Sequence, residues 1–272
     1  MENTQQLDGI QKTLLMPLWG RAKLSKEDNP VLIDTKAIEI IEKLDYDFRD
    51  IDKCVPYLGH MVTLLRAKAF DNAILNFLEK HPQSVVVNFG AGLDTAFYRV
   101  DNQQIDWYDI DLPDVIELRH QLIPETDRSH YIRGSIFDME WIQNIPPNKP
   151  VIFMSIGVLE YFDKGLILKF LGDLASIFPE SEILFNTTSS NIISTYFTKR
   201  AMKKMRMEAS PITLGNFIEE LKRTDGRIEI IEDSSIISKF TVEDVQNKKL
   251  FRNLKMYDFF TPTHIVHLKF LV

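Results

Sequence analysis

One stretch constrains the fold of this chain more than any other: Val85-Val86-Val87-Asn88-Phe89-Gly90-Ala91-Gly92-Leu93-Asp94. A run that opens with three valines reads as a strand buried on both faces, and it ends in a Gly-x-Gly turn. Nineteen positions past Gly92, a second apolar stretch ends at Asp111, within Trp107-Tyr108-Asp109-Ile110-Asp111-Leu112-Pro113. Together these segments form the opening of an α/β nucleotide-binding sheet. Glycines let the backbone approach a ligand, and an acid at the tip of the next strand accepts hydrogen bonds from ribose hydroxyls. The pattern specifies a nucleoside-containing ligand without saying which one.

The third glycine position discriminates among such ligands. A dinucleotide fingerprint reads G-x-G-x-x-G or -A. Here Thr95 occupies that place, and Ala96 follows one residue late. Asp94 lies in the turn where a pyrophosphate would sit, and a carboxylate there competes with a phosphate for the helix N-terminus. S-adenosylmethionine carries ribose and adenine but no phosphate, and its sulfonium is cationic. The acid-bearing turn therefore suits this cofactor better than a nicotinamide dinucleotide. The alternative is that Asp94 only caps the short helix that follows.

Composition excludes several classes. With 32 basic against 39 acidic residues the net charge is −7, which argues against a nucleic-acid partner. Cys54 is the only cysteine, so neither an intrachain disulfide nor a cysteine-based zinc cluster can form, and a reducing cytoplasm is the expected compartment. Residues Met1 to Gln11 are polar and lack the apolar core of a signal peptide. No apolar stretch approaches the ~20 residues of a membrane span, so stable membrane insertion is not expected. The pair His264-x-x-His267 falls on a strand-like run, where residues three apart face opposite sides, so no metal site is expected there.

The 272 residues can hold one large domain or two small ones. Residues 12–80 read mainly as helix, with Met61, Leu65, Ala69, Ala73 and Phe77 forming an apolar stripe. Strands are expected at 84–89, 105–110, 130–133, 150–155, 181–186, 227–232 and 264–271, and helices near 113–122, 164–178 and 213–223. Alternating strands and helices imply a mostly parallel sheet covered on both faces. The last strand follows Pro262 after a short connection and is expected to run antiparallel at or near an edge. No Gly/Ser-rich linker divides the chain. The expected organisation is one domain over 1–272, with a helical N-terminal cover at 1–80 and a cofactor-binding core at 84–190. A lid-like insertion at 191–225 and C-terminal strands at 226–272 complete it. Within 191–209, Ile193, Phe197, Ala201 and Met205 form a stripe beside Lys199, Arg200, Lys203, Lys204 and Arg206. A basic amphipathic helix can bind membranes, but in so acidic a chain this one reads as a lid whose charged side is solvated.

Several segments carry a specific resemblance. They are Thr13-Leu14-Leu15-Met16-Pro17-Leu18-Trp19-Gly20-Arg21-Ala22, Leu65-Arg66-Ala67-Lys68-Ala69-Phe70-Asp71, Val87 to Thr95, Tyr108 to Leu118, Leu122-Ile123-Pro124-Glu125-Thr126, and Gly157-Val158-Leu159-Glu160-Tyr161-Phe162. With them the chain resembles the leucine carboxyl methyltransferase family, especially its bacterial and archaeal branch, which is similar to polyketide O-methyltransferases of the tetracenomycin type. The resemblance implies a class I S-adenosylmethionine-dependent methyltransferase: a Rossmann-like, seven-stranded α/β sheet with its last strand antiparallel, beneath an N-terminal helical cover.

It also implies roles. Arg66 matches an arginine that pairs with the cofactor carboxylate, for which a planar guanidinium fork is suited. Lys12 lies near a lysine of the family's N-terminal lid. Gly90 and Gly92 give the close backbone approach. Asp111 matches the ribose-binding acid, with Asp109 two residues earlier on the same side of the strand. Ser135 and Ile136 fall where the adenine is read, and Tyr161 is the best-placed catalytic side chain. Without the resemblance, Arg66 reads as a surface residue of a long helix, Asp109 and Asp111 as caps for the helix starting near Pro113, and Tyr161 as a core aromatic. Two departures stand out. Ile156 occupies the slot where the family carries Glu, with Glu160 nearby but in a different slot, and Ala96 stands where the branch often has Arg. The implied function is O-methylation of a carboxylate or hydroxyl on a small molecule. The alternatives are a non-catalytic protein that binds S-adenosylmethionine or S-adenosylhomocysteine, and a protein C-terminal carboxyl methyltransferase.

Overall fold

The computed structural model describes residues 9–188 and 217–272, with side chains from Leu14 onward in the first segment. The basic stretch 191–209 and the Lys12 side chain lie outside the described residues.

Seven strands form one sheet: β1 (Val85–Phe89), β2 (Asp106–Asp111), β3 (Ser129–Arg133), β4 (Val151–Ser155), β5 (Glu182–Thr188), β6 (Ile228–Ser235) and β7 (Thr263–Phe270). Their order is β3-β2-β1-β4-β5-β7-β6. Strands β1 to β5 pair in parallel, and β7 runs antiparallel between β5 and β6. The last strand is thus antiparallel and near an edge, as expected, one place in from the edge strand β6. The chain winds outward through β1, β2 and β3, then returns to β4 on the other side of β1. That reversal opens a crevice beyond the carboxyl ends of β1 and β4, where open α/β sheets bind ligands.

Strand alternation explains how both faces are covered. Val86, Ile152, Met154 and Leu184 point to one face. There they meet Met61, Leu65, Phe70, Ile74 and Phe77 of α4 (Tyr57–Lys80). Val85, Val87, Phe89 and Phe153 point to the other face and meet Ile167, Phe170, Leu171 and Leu174 of α7 (Lys164–Ile177). Between these, α5 (Ala96–Val100) and α6 (Pro113–Leu122) follow β1 and β2.

The helical N-terminal reading resolves into four pieces: α1 (Gly9–Leu24), α2 (Thr35–Lys43), α3 (Arg49–Cys54) and α4. The breaks have local causes. Asn29 takes a left-handed conformation (φ 54°) just before Pro30, Asp34 caps α2 by accepting from the Ala37 amide, and Pro56 stands immediately before α4. Towards the C-terminus come α8 (Phe217–Thr224), α9 (Val242–Val245) and α10 (Lys248–Phe260). The last two are not evident in the sequence. Phe251 and Leu254 of α10 are buried, but lysines and arginines interrupt the pattern and Phe259 is 80% exposed, so no clean apolar stripe forms. His264 pairs with Asp233 on β6 at 2.7 Å, and His267 with Glu182 on β5 at 2.7 Å. The two histidines thus serve different neighbouring strands. Among the described residues, no helix is long and apolar enough to cross a membrane.

A buried ionic cluster fastens the N-terminal helices to the sheet. Asp34 is completely buried. It accepts from Arg21 Nε at 2.8 Å, Arg99 Nη1 at 2.8 Å, Thr95 Oγ1 at 2.6 Å and the Ala37 amide at 2.9 Å. Arg99 also forks onto Asp71 of α4, through Nε at 2.7 Å and Nη2 at 2.9 Å. Burial pushes the Asp34 carboxyl up, but the two guanidinia, Thr95 and Ala37 more than offset this and hold it below its ordinary value of 3.8. Removing one member of such a cluster leaves uncompensated buried charge, which costs about 3–5 kcal/mol. Asp34→Ala should therefore lower the calorimetric Tm by on the order of 10 °C at neutral pH. Because the folded-state pKa is depressed, this contribution is fully present above pH 3.8 and is lost only as pH falls below it. A Tm within about 2 °C of wild type would show that the cluster does not hold the cover in place.

Candidate functional site

The crevice begins with the turn after β1. Gly90 (φ 66°) and Gly92 (φ 49°) both lie in the left-handed region. At Gly90 a Cβ would come within 2.4 Å of Val158 Cγ2, so glycine is required for space as well as for conformation. The amides of Gly90 and Ala91 donate to the Ile110 carbonyl at 2.8 and 3.3 Å, which ties the turn to β2. Buried arginines take up the carbonyls of this turn. Arg119 Nη1 donates to Gly92 O at 3.0 Å and to Asp94 O at 2.7 Å, and Arg21 Nη2 donates to Leu93 O at 3.2 Å.

Asp111 closes β2 at the rim. Its Oδ2 accepts from the Gly92 amide at 2.8 Å and its Oδ1 from the Leu112 amide at 2.7 Å. Each oxygen therefore keeps acceptor capacity. Burial pushes the Asp111 carboxyl above its ordinary value, against the opposing pull of the two amides. The Gly134 amide donates to the Asp111 carbonyl at 2.9 Å, which sets the turn after β3 beside it. In that turn Ser135 Oγ accepts from the Phe137 amide at 3.2 Å, and Ile136 is buried. Asp109 lies behind the turn, completely buried. It accepts from Asn88 Nδ2 and Trp107 Nε1, each at 2.8 Å, and pairs with Arg119. Asp94 does not cap α5, which begins without a side-chain cap. Its Oδ1 accepts from the Thr95 amide at 2.7 Å and lies 3.8 Å from Arg21 and 3.6 Å from Arg99, while its buried Oδ2 has no partner.

The β4 side carries the second half of the site. Gly157 (φ 71°) lies beneath Arg66 of α4, and a Cβ there would sit 3.4 Å from Arg66 Nη1. The Gly157 amide donates to Asn186 Oδ1 at 2.6 Å. Arg66 Nε is buried with no hydrogen-bond partner. Burial pulls the Arg66 pKa below the usual guanidinium value, and Glu160 and Tyr161 act against that pull. Glu160 is buried, accepting from Thr188 Oγ1 at 2.8 Å and more loosely from Asn186 Nδ2 at 3.5 Å. Tyr161 is 40% exposed, and its phenol is held above its ordinary pKa by burial and by Glu160, with Arg66 opposing. Ile156, in the slot of the family's acid, packs instead into the apolar cluster around α4.

The structure thus gathers Gly90, Gly92, Asp111 and the Ser135–Ile136 turn on one wall. Arg66 and Tyr161 belong to the other, with Gly90 against Val158 as the join. Arg119, Asn186 and Glu160 form part of the surroundings that sequence reasoning did not assign. Arg119 had a usable signal: it shares the buried face of α6 with Val115 and Ile116, and a charge on an apolar helix face needs a partner.

A sheet of this order, with a glycine turn and an acid flanking the switch point, defines a nucleoside-binding methyltransferase fold. Residues 15–172 match the leucine carboxyl methyltransferase family. The chain is 32% identical over 187 residues, 68% of each chain, to the tetracenomycin polyketide synthesis O-methyltransferase TcmP of Streptomyces glaucescens. It is 28% identical over 202 residues, 68% of each chain, to the S-adenosyl-L-methionine-dependent methyltransferase dpfgK of Gibberella zeae. In fold it is similar to a crystal structure from Thermobifida fusca provisionally named a methyltransferase, with a TM-score of 0.59 and 15% identity over 95% of both chains. The chain belongs to the leucine carboxyl methyltransferase family. It is a methyltransferase, with S-adenosylmethionine as its methyl donor.

The Gly90–Val158 contact supplies a direct test of the turn. Gly90→Ala should weaken S-adenosylhomocysteine binding by about tenfold or more in calorimetry, since a left-handed alanine and a steric overlap each cost on the order of 1 kcal/mol or more. Adding Val158→Ala removes the overlap but not the backbone strain, so the double variant should recover only part of the affinity. Full affinity in Gly90→Ala alone would mean that the turn relaxes without consequence for the cofactor.

Proposed function

We propose that this chain methylates an oxygen of a small-molecule acceptor, and that Arg66, Gly90, Gly92, Asp111, Ser135 and Ile136 hold the methyl donor. Arg66 carries the reading. Buried guanidinium N–H groups without a hydrogen-bonding partner are rare, and Arg66 Nε is one. Arg119 Nε is also unpartnered, but that guanidinium is paired with Asp109. Arg66 instead sits beside a glycine at the mouth of the crevice, where an anion can reach it. The α-carboxylate of the donor matches it in charge and in planar geometry. Asp111 has acceptor capacity for the ribose hydroxyls, and the Ser135–Ile136 turn beside it provides an edge and an apolar face for adenine. Asp109 supports this wall from behind, and Lys12 remains a further candidate for the donor's carboxylate end.

The donor supplies an electrophilic sulfonium methyl group. The protein's part is to align an oxygen nucleophile and exclude water. Tyr161, held in its protonated form, is suited to donating a hydrogen bond to the acceptor and unsuited to removing a proton from it. Glu160 is engaged by Thr188 and Asn186. An acceptor oxygen already ionised near neutrality, a carboxylate or an acidic phenol, needs no general base and fits this arrangement. The relative TcmP, an O-methyltransferase of polyketide synthesis, favours a small molecule over a protein terminus. The single cysteine and acidic charge accord with a cytoplasmic enzyme acting as one domain, without a nucleic-acid partner.

Calorimetry with S-adenosylhomocysteine, followed by an acceptor screen with labelled donor, tests the whole reading. Arg66→Ala should weaken binding at least about tenfold, because an unanswered carboxylate in a desolvated site costs a few kcal/mol. Unchanged affinity in a folded variant would refute the assignment.

Tyr161→Phe should leave S-adenosylhomocysteine affinity within about twofold and lower kcat by about tenfold, the loss of one hydrogen bond to a charged group. A tyrosine that only packs would leave kcat unchanged. With the proton loss residing in the acceptor, the pH dependence of kcat/KM should move with the acceptor's own pKa across a series of phenols. A single acid limb shared by all acceptors would point to a protein base.

A further inference from the structure

Arg119 lies behind the crevice and meets it only through the backbone of the glycine turn. It is 1% exposed. Nη2 meets the Asp109 carboxylate, and Nη1 spans Gly92 O and Asp94 O. The guanidinium stacks 5.0 Å from the Tyr131 ring, whose hydroxyl is anchored on Ile123 O at 2.8 Å. Asp109 is in turn fixed by Asn88 of β1 and by Trp107 of β2. The charge of Arg119 is answered from the sheet, its Nη1 donates to two carbonyls of the glycine turn, and its buried Nε has no partner.

That placement bears on Asp111. Gly92 is a hinge with positive φ, and its two sides are held by different partners: its carbonyl by Arg119 and its amide by Asp111 Oδ2. If the carbonyl were released, ψ of Gly92 would be freed, and the two peptide planes that meet at its Cα could readjust, shifting the amide that orients the Asp111 carboxylate. We propose that Arg119 is a positioning residue for the cofactor. By pinning the carbonyls of Gly92 and Asp94 it sets the Gly92 amide, and through that amide it directs Asp111 at the ribose. This rests on the reading of Asp111 as the ribose-binding acid. Stability alone does not require such a device, since buried ion pairs can be replaced by apolar side chains of similar volume without loss. What an apolar side chain cannot do is reach two carbonyls and a carboxylate at once. A lysine ammonium, a point charge without the fork, cannot reproduce that geometry either.

The test compares Arg119→Lys and Arg119→Gln with wild type by calorimetry, using S-adenosylhomocysteine and its 2′-deoxy analogue, with near-ultraviolet circular dichroism to verify folding. Wild type should prefer the natural ligand by about tenfold or more, the value of a hydrogen bond to a carboxylate. In Arg119→Lys the affinity should fall by about tenfold, and the preference for the 2′-hydroxyl should shrink to about twofold. Combining it with Asp111→Asn should add little, since both changes remove one function. Should Arg119→Lys fail to fold, Arg119→Gln, which keeps a donor near the turn without the charge, carries the same comparison at low temperature. A folded variant that keeps the full 2′-hydroxyl preference, whether or not its overall affinity falls, overturns the proposal, because a purely structural role would leave the preference intact. Wild type that binds S-adenosylhomocysteine without distinguishing the analogue overturns the Asp111 reading and this inference with it. Wild type that does not bind S-adenosylhomocysteine instead overturns the cofactor reading itself.

Discussion

The crevice depends on how the Gly90–Thr95 turn is held. Glycine at positive φ gives the backbone its close approach, and the same freedom leaves the turn without a preferred geometry of its own. Main-chain carbonyls that would otherwise need solvent are taken by guanidinia rooted elsewhere: Arg119 from α6 and Arg21 from α1. The amides are taken by β2 and Asp111. The turn is thus clamped from both sides, by buried arginines behind it and by β2 with Asp111 at the rim. A local turn bond from the Asp94 amide to the Ala91 carbonyl adds to these contacts.

Charge distribution separates support from function. Arg21, Arg99 and Arg119 are buried and each meets a carboxylate directly. The carboxylates that answer them, Asp34, Asp71 and Asp109, are likewise buried. These residues carry structural cost and structural gain together, as buried pairs do. Arg66 is the exception. It is held near Gly157 with its Nε unmet and, among the described residues, with no carboxylate bonded to it, whereas Arg119, whose Nε is also unmet, is paired with Asp109. The contrast within one small region is more informative than the burial of any single residue.

Legibility in the sequence followed the range of the interactions. The strand Val85–Phe89, the glycine turn and the acid at Asp111 declare themselves through local spacing, and alternation of elements was enough for the seven-strand sheet. That β7 lies near an edge was legible, but its insertion between β5 and β6 is a matter of partner choice that periodicity does not encode. Helix α10 is obscured because its buried residues are few and its lysines many. Arg66 carries no mark in its own helix: only its tertiary burial, and before that a family resemblance, sets it apart from a solvent-facing arginine. Asp109 and Asp111, two residues apart in one strand, look equivalent in the sequence. In the fold one is sealed beneath Arg119 and the other stands at the rim, because only the second lies past the point where β2 is covered.

The replacement of the family's acid by Ile156 has a physical counterpart a few residues later. Ile156, partly buried, packs against the apolar cluster around α4, a setting that disfavours a carboxylate. Glu160 meets the opposite conditions. Thr188 and Asn186, at the tip of β5, supply donors to its two oxygens. It is also the foremost charge supporting ionisation of Arg66. Asn186 further accepts from the Gly157 amide, so one amide side chain links the glycine under Arg66 to the carboxylate that balances it. A negative charge is thus held near Arg66, carried by the connection after β4 and anchored on β5. The Arg66 side of the crevice is therefore tied to the strand that pairs with β7, and its geometry depends on the antiparallel half of the sheet as well as on the parallel half that forms the glycine turn.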